Sequence, residues 1–329
     1  MTARVTLKDV SRTASVSVGT ASKVLNGRAG VAPETRSRVE AVLDRYGYTR
    51  RDIVDRPIVE LTFGRLDEEW VIEVIRGVVA GASAVGSSVM LNEYDGTDTD
   101  WTDGVLRRAP SGVIVVAPRF SHVELTRLVS RGIPCVAIDP DGDPMPDVSS
   151  VGSANFPGGL AVGRHLMELG HRVVGVVGND QRTSTVARIA GLAAAVQAGG
   201  GTLRTVAFGR SAPRDLTEEA LSLLRPRDRP TAVFATSDVH ALSVYEAARL
   251  LDLRIPAQLS VVGFDDLVFA KWAGPALTTV RQPLADMGRE AARMLASTRD
   301  DRDQRRMRVE LATSLVIRES TASPPDPPA

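Results

Sequence analysis

The stretch VTLKDVSRTASVSVGTASKVLNG, residues 5–27, decides the fold of the N-terminal part of the chain. Thr6 followed three residues later by Asp9 is a capping-box-like start, and it predicts a helix through about Ala14. The apolar residues of the stretch recur at helical spacing, so each predicted helix has one apolar face that packs into a core. This segment is therefore predicted to be all-α.

Two further helices follow from the same signals. The run from Ser15 to Ser17 predicts a tight turn, and Ser17 is suited to cap a second helix that runs to about Asn26. Pro33 stands well at a first helical position, and a third helix is predicted to reach Gly47. Two short helices joined by a tight turn, with a third closing the core, are typical of a helix-turn-helix domain, although a generic three-helix packing unit has the same outline.

The charge of the chain is unevenly distributed. Its net charge is +0, but residues 1–56 carry 11 basic and 6 acidic residues. Residues 57–329 carry 29 basic and 34 acidic residues. A basic segment on an acidic body is expected of a module that meets a polyanion such as DNA.

The strings at residues 5–27 and 31–48 (VAPETRSRVEAVLDRYGY) closely resemble the DNA-binding head of the lactose-repressor (LacI/GalR) family. The resemblance implies that the base-reading positions fall on Val18, Gly19 and Lys23. It also implies a set of residues that hold phosphates and set the docking register: Thr6, Ser17, Thr20, Ser22, Asn26 and Tyr48.

Several residues depart from the family pattern. Ser15 stands where the family has a turn glycine, and this position requires an unusual backbone conformation or a modified turn. Ala32 replaces a serine cap, a loss of about 1 kcal/mol. Gly19 offers no side chain to a base, and Lys23 replaces an arginine. We therefore expect Lys23 to supply most of the direct readout.

The segment after the third helix also differs from the family, in which it forms a hinge helix whose leucine enters the minor groove. Pro57 stands at the corresponding position, and Arg50 and Arg51 replace a proline and an asparagine. Either Ile53 or Val54 replaces the leucine wedge, or the arginines hold phosphates and the DNA is bent less. We favour the second alternative.

From Ile58 onward, short apolar strands alternate with amphipathic helices, which predicts parallel sheets wrapped by helices in two doubly wound lobes. Stretches such as SVGSANFPGG (150–159) also resemble the family's periplasmic-binding-protein-like core. The predicted boundaries are 1–49 for the helix-turn-helix domain, 50–57 for the linker, 58–320 for the effector-binding and dimerisation domain, and 321–329 for a disordered tail. Within that domain, the first lobe takes about 58–152 and 283–310, and the second about 153–281 and 311–320.

Ligands in such folds bind at the carboxyl ends of the strands, here in the cleft between the lobes. By resemblance, Arg188 and Asp265 stand at effector-contacting positions. Arg188 would donate to one hydroxyl of a polyol, and Asp265 would accept from the adjacent hydroxyl. Five more candidates lie at strand ends or helix starts: Trp70, Asp139, Asn155, Ser237 and Asp238. A capping or salt-bridge role is the alternative for each of these residues, including Arg188 and Asp265. Trp70 either stacks on a sugar ring or packs at a dimer interface.

Other classes of protein are disfavoured. The four histidines lack metal-ligand spacing and no serine lies in a nucleophile elbow, so neither an enzyme nor a cofactor or metal site is expected. Cys135 lies in an apolar run, which is typical of a buried structural thiol. No apolar run spans a bilayer, and charges at Lys8, Asp9 and Arg12 argue against a signal peptide. A cytoplasmic protein without a membrane partner is expected, not a secreted binding protein.

Together these features predict a sequence-specific transcriptional repressor that is released, or less often engaged, by a mono- or oligosaccharide in the cleft. A regulator of the same fold that responds to a nucleobase, a phosphosugar or a protein partner is the alternative. Two heads that engage two half-sites imply a homodimer, or a tetramer, on a roughly palindromic double-stranded operator.

Overall fold

A computed structural model describes ten stretches of the chain: residues 6–25, 28–46, 57–64, 68–94, 101–116, 122–141, 148–178, 182–205, 216–300 and 307–325. The chain divides into two compact units, Met1–Arg56 and Pro57–Ala329. Among the described residues, no helix has both the length and the apolar character that crossing a membrane requires.

The first unit consists of helices α1 (Leu7–Thr13), α2 (Val18–Leu25) and α3 (Pro33–Arg45). The predicted capping box is confirmed, because the Thr6 amide donates to Asp9 Oδ2 at 2.9 Å and the Asp9 amide donates to Thr6 Oγ1 at 3.4 Å. These bonds satisfy two amides that a helix start leaves unpaired. The helix-turn-helix predicted from the sequence is present.

A small apolar core holds the three helices together. Its buried members come from all three helices and their ends: Val10, Ala14, Ala21, Val24, Val39 and Leu43. The turn between α1 and α2 has the expected unusual backbone, since Ser15 has a φ of 53°. Ala32, at the N-cap of α3, makes no side-chain capping bond, as the missing serine predicts.

Ser15→Gly should stabilise the first unit by about 1 kcal/mol, because the left-handed conformation costs a residue with a Cβ that much more than it costs glycine. Slower amide exchange of the α1 and α3 core amides in the whole chain would show it. Ser37→Gly is the matched control, since Ser37 is exposed within α3 and glycine there should destabilise the helix by about 0.5 kcal/mol. Equal effects of the two substitutions would contradict the assignment of strain to Ser15.

The second unit alternates strands and helices along most of its length. In chain order its elements are β1 (Ile58–Phe63), α4 (Glu69–Ala84), β2 (Ser88–Glu93), α5 (Trp101–Arg108), β3 (Gly112–Val116), α6 (His122–Ser130), β4 (Cys135–Ile138), β5 (Ser149–Ser153), α7 (Asn155–Glu168), β6 (Val173–Val177), α8 (Thr183–Ala198), β7 (Thr202–Thr205), α9 (Thr217–Leu224), β8 (Ala232–Ala235), α10 (Asp238–Leu250), β9 (Ser260–Asp265), a 3-10 helix (Val268–Lys271), β10 (Thr278–Arg281), α11 (Leu284–Asp300), β11 (Arg308–Leu311) and β12 (Ser314–Val316).

These strands form two six-stranded sheets, one in each lobe. The first sheet has the order β11-β5-β4-β3-β1-β2 and is parallel throughout. The second has the order β12-β10-β9-β8-β6-β7 and is parallel except for its edge strand β12, which pairs antiparallel with β10. Apolar clusters lie on both faces of each sheet, so the predicted class of two doubly wound lobes is confirmed.

The chain passes between the lobes three times: after β5, after β10 and after β11. The three crossings hydrogen-bond to one another. The Ala154 amide donates to the Leu311 carbonyl at 2.8 Å, and Ser153 Oγ donates to Gln282 Oε1 at 2.5 Å. The strand ends of both lobes are therefore held beside one shared set of connections.

The prediction of a disordered tail from residue 321 is wrong for its first residues. Ser320 is fully buried and its Oγ donates to the Val261 carbonyl at 2.6 Å. The Ala322 carbonyl accepts from Ser260 Oγ and His171 Nε2, each at 3.0 Å. A proline-rich composition disfavours regular secondary structure, but an extended strap still hydrogen-bonds to Ser260 and Val261 at the start of β9, a central strand of the second sheet. Residues 326–329 lie outside the described residues.

Candidate functional site

The exposed face of α2 is the candidate nucleic-acid surface of the first unit. Ala21 and Val24 are buried in the core, which turns Val18, Gly19 and Lys23 to the outside. A recognition helix needs this division, because its outward side chains must reach base edges in the major groove. The structure thus gives the three predicted base-reading positions the exposure that the role requires.

Some of the predicted phosphate-contacting residues also cap helices. Thr6 belongs to the capping box of α1, and Ser17 Oγ accepts the Thr20 amide at 3.0 Å at the start of α2. Both remain exposed, so capping and phosphate contact are compatible at these positions. Ser22 is half-buried. The remaining predicted DNA contacts lie outside the described residues: Asn26, Tyr48, Arg50 and Arg51.

Arg188 is the centre of the candidate cleft site in the second unit. It lies on α8, is 7% exposed, and its guanidinium stacks 3.8 Å from the centroid of the Phe264 ring. Its Nε donates to Asn155 Oδ1 at 2.8 Å and its Nη1 donates to the Thr236 carbonyl at 2.7 Å. A guanidinium held by three neighbours is fixed in orientation before any ligand arrives.

Asp265 faces Arg188 at the carboxyl end of β9. Its Oδ1 lies 3.6 Å from Arg188 Nη1 and accepts from Gln282 Nε2 at 2.5 Å, and it is 7% exposed. Its backbone φ is 118°, a conformation that a residue with a side chain rarely adopts. Burial raises the pKa of Asp265 to about 6, while Arg188 and the Gln282 hydrogen bond act in the opposite direction. Such a strained, buried carboxylate is typical of a binding site.

Asp139 and Asn155 join this group from the ends of β4 and β5. Asp139 has a φ of 48°, and burial raises its pKa although Arg188, Arg182 and an Asn155 hydrogen bond lower it. Asn155 is buried, and its Nδ2 donates to the Ser153 carbonyl at 3.0 Å while its Oδ1 faces Arg188. Four of the predicted residues, Arg188, Asp265, Asp139 and Asn155, are therefore brought together.

Asp238 does not belong to this group, and its predicted contact with an effector is wrong. It is fully buried, its Oδ2 accepts the Leu267 amide at 2.7 Å, and its Oδ1 accepts from Thr279 Oγ1 at 2.5 Å. The strand end leads into α10, whose first turn directs this carboxylate into the lobe interior. Ser237 is half-buried and caps α10, since its Oγ accepts the His240 amide at 3.2 Å.

Two charged residues at the cleft were not predicted from the sequence. Glu68 precedes α4 in the first lobe, and Glu68 Oε2 accepts from Trp70 Nε1 at 2.6 Å. Across the cleft, Arg182 Nη2 lies 3.7 Å from Glu68 Oε1. Trp70 is half-buried and packs partly on the first lobe's core, so its indole is held at the rim.

The balance of charge limits what the site can bind. Within the described part of the chain, the carboxylates of Glu68, Asp139 and Asp265 face the guanidiniums of Arg182 and Arg188. With Asp141, which also raises the pKa of Asp139, four carboxylates against two guanidiniums in the described part of the chain disfavour an anion such as a phosphate. Fixed donors beside fixed acceptors suit an uncharged ligand rich in hydroxyls.

Asp265→Asn should raise the free energy of unfolding at pH 7.5 by about 1–3 kcal/mol, because the folded chain holds this carboxylate ionised against a raised pKa. A raised carboxyl pKa makes the native state lose stability as pH rises through about 6. The advantage of the variant should therefore shrink below pH 6, where wild-type Asp265 takes up a proton. Urea denaturation from pH 5 to 8 measures both effects.

Asp266→Asn is the control for that substitution. Asp266 is the neighbouring buried carboxylate, and it pairs with Arg281 and Arg318, so its neutral variant should lose stability at pH 7.5. Destabilisation by Asp265→Asn at this pH would show that its ionised form is a net stabiliser and would contradict the prediction.

Comparison with protein families gives two matches. Residues 6–51 match the model of bacterial regulatory proteins of the lacI family, and residues 164–321 match that of a periplasmic binding protein-like domain. The first match spans the three helices of the first unit. The second covers most of the second lobe, including Arg188 and Asp265.

Comparison with individual proteins extends the similarity over the whole chain. The HTH-type transcriptional repressor PurR of Proteus mirabilis is 30% identical over 97% of this chain and 98% of its own length. A solved complex of the transcriptional regulator CelR with cellobiose is 28% identical, covers 96% of this chain and 100% of its own, and has a TM-score of 0.71. The Lac repressor dimer bound to operator and the anti-inducer ONPF, at 23% identity and 97% and 100% coverage, shares the fold with a TM-score of 0.81.

Proposed function

This chain belongs to the lacI family of bacterial regulatory proteins and is a DNA-binding transcriptional regulator with a ligand-binding domain, and we propose that it is a repressor controlled by a neutral saccharide. Like these relatives, it is a regulator and not an enzyme. The saccharide would bind in the cleft between the lobes and change the affinity of the first unit for its operator.

The pairing of Arg188 with Asp265 is the observation that carries this proposal. One fixed donor group and one fixed acceptor group, 3.6 Å apart, match two adjacent hydroxyls of a sugar ring. Asn155 adds an amide beside them, and the Trp70 indole offers an apolar face at the rim. The complex of CelR with cellobiose, a relative that aligns over nearly the whole of this chain, supports a saccharide as the ligand class.

A thermal-shift panel tests the ligand class. Cellobiose, ribose and other neutral sugars, their phosphates, and the nucleobases are added singly to the wild-type chain and to Asp265→Asn. We expect one neutral sugar to raise the Tm of the wild type but not that of the variant, because the variant loses the fixed anionic acceptor. Stabilisation by a purine alone, or by a sugar phosphate alone, would overturn the saccharide and favour the corresponding alternative.

We further propose that the working form is a homodimer, since two heads must meet the two half-sites of a palindromic operator. Two exposed apolar surfaces support it. One is formed by Val268 of the 3-10 helix, 70% exposed, and by its C-cap Trp272, 81% exposed, and the other lies on α4, with Ile72 and Val79.

Trp272→Glu should convert the dimer to a monomer at micromolar concentration, because a carboxylate in an apolar interface is costly to desolvate. Sedimentation velocity measures the change. Val123→Glu on α6 is the control, since Val123 is 74% exposed and α6 packs on the opposite face of the first sheet from α4, and it should leave the dimer intact. A dimer that persists in Trp272→Glu at the wild-type dissociation constant would exclude this surface.

A further inference from the structure

The first turn of α8 contacts the opposite lobe at two points. The Thr183 amide and Thr183 Oγ1 donate to Asp141 Oδ1 at 2.8 and 3.0 Å. One residue earlier, Arg182 Nη2 lies 3.7 Å from Glu68 Oε1. Asp141 follows β4 and Glu68 precedes α4, so both carboxylates belong to the first lobe while α8 belongs to the second.

The N-cap side chain of α8 does not cap the helix, so an acceptor from the opposite lobe can serve its first turn. Arg182 is the N-cap residue of α8 and makes no side-chain capping bond. The first amides of a helix have no partner within it, and its N-terminus carries a partial positive charge. The Asp141 carboxylate supplies the missing acceptor and a favourable charge from across the cleft. In the closed arrangement, the first turn of α8 therefore receives its acceptor from the opposite lobe.

The same contacts are tied to the ligand site. Glu68 also accepts the indole N–H of Trp70 at 2.6 Å, so the ion pair with Arg182 and the orientation of Trp70 share one carboxylate. Asp141 raises the pKa of Asp139 and Arg182 lowers it, so both lie within electrostatic reach of the cleft carboxylates. A change at these contacts therefore alters the position of Trp70 and the electrostatic environment of Asp139 in the ligand site.

We propose that Asp141 and Glu68 form a latch that holds the two lobes closed on the first turn of α8 without any ligand. Asp141 acts on the site through the first turn of α8, and Glu68 acts on it by holding the indole of Trp70. The consequence of the latch for the ligand rests on the proposed function. A saccharide enters or leaves the cleft only when the latch opens, so the latch controls the exchange of the effector.

The first experiment measures exchange of the Thr183 amide proton in the ligand-free chain by NMR. Asp141→Ala should accelerate it at least about fivefold, the effect of removing a good N-cap. Asp141→Asn should restore most of the protection, because asparagine keeps an acceptor oxygen of the same reach. Asp228→Ala is the control, since Asp228 pairs with Arg204 within the second lobe and should leave Thr183 unchanged.

The second experiment measures the radius of gyration of the ligand-free chain by small-angle X-ray scattering. Asp141→Ala combined with Glu68→Gln should increase it over the wild type, while Asp228→Ala should not. An unchanged Thr183 exchange rate in Asp141→Ala, or an unchanged radius in the double variant, would overturn the latch. Every readout is ligand-free, so a failure of all sugars to bind would refute the proposed function without affecting either measurement of the latch.

Discussion

We expect Arg188→Met to weaken saccharide binding by at least about 100-fold. The same substitution should lower the free energy of unfolding by about 3–5 kcal/mol, because the buried carboxylates of Asp265 and Asp139 lose the guanidinium that faces them. Calorimetric titration with the sugar selected by the thermal-shift panel, and urea denaturation, measure the two effects.

A second variant separates binding from folding at this site. Arg188→Met with Asp265→Asn removes both members of the pair, so most of the lost stability should return while saccharide binding stays abolished. Arg204→Met, which removes an exposed ion-pair partner of the same lobe, should change neither quantity. Saccharide affinity within threefold of wild type in Arg188→Met would contradict the assigned role.

Lys23→Ala should weaken operator binding by about 10–100-fold and binding to random duplex DNA far less. Lys23 is the one long polar side chain among the three exposed base-reading positions of α2, since Val18 is apolar and Gly19 has no side chain. Loss of a base-edge contact costs about 1–3 kcal/mol in discrimination, whereas loss of a phosphate contact weakens all sequences alike.

Fluorescence anisotropy with an operator selected from a random duplex pool, in parallel with a scrambled duplex, measures that discrimination. Lys8→Ala is the control, because Lys8 is exposed on α1 and outside the recognition helix, and any loss should be similar for both duplexes. An equal loss for both duplexes in Lys23→Ala would assign Lys23 to the phosphate backbone instead.

The head was readable from the sequence because its signals are local. Thr6 and Asp9 form the predicted capping box, and the unusual backbone at Ser15 was expected because the family it resembles has a glycine at this turn position. Both features depend on a few consecutive residues. The alternation of strands and helices could also be predicted from the sequence, because parallel strands that are buried on both faces occur as short apolar runs.

Elements that depend on distant neighbours were missed. The strand β5 has the sequence Ser-Ser-Val-Gly-Ser, which has little strand preference, and it forms because β4 and β11 flank it. The antiparallel edge strand β12 likewise depends on where the chain returns after α11. The strap around Ser320 is ordered by partners some 60 residues earlier, including Val261.

The candidate site shows the same division. Arg188 and Asp265 were identified by resemblance to the family. Gln282 joins them because β10 pairs with β9 beside Asp265, whereas Glu68 and Arg182 meet only because the two lobes approach each other. Asp238 was assigned to the cleft because it follows a strand end, and a strand end does not reveal which way the next side chain points. Its two hydrogen bonds inside the lobe decide that.

Operator affinity measured with and without the selected saccharide, in the wild type and in Asp265→Asn, tests the central claim most directly. We predict that saturating saccharide changes the wild-type operator affinity at least tenfold, while Asp265→Asn binds the operator as tightly as the ligand-free wild type and does not respond. A saccharide that binds the wild-type cleft without changing operator affinity, or an Asp265→Asn response equal to the wild type, would contradict the account.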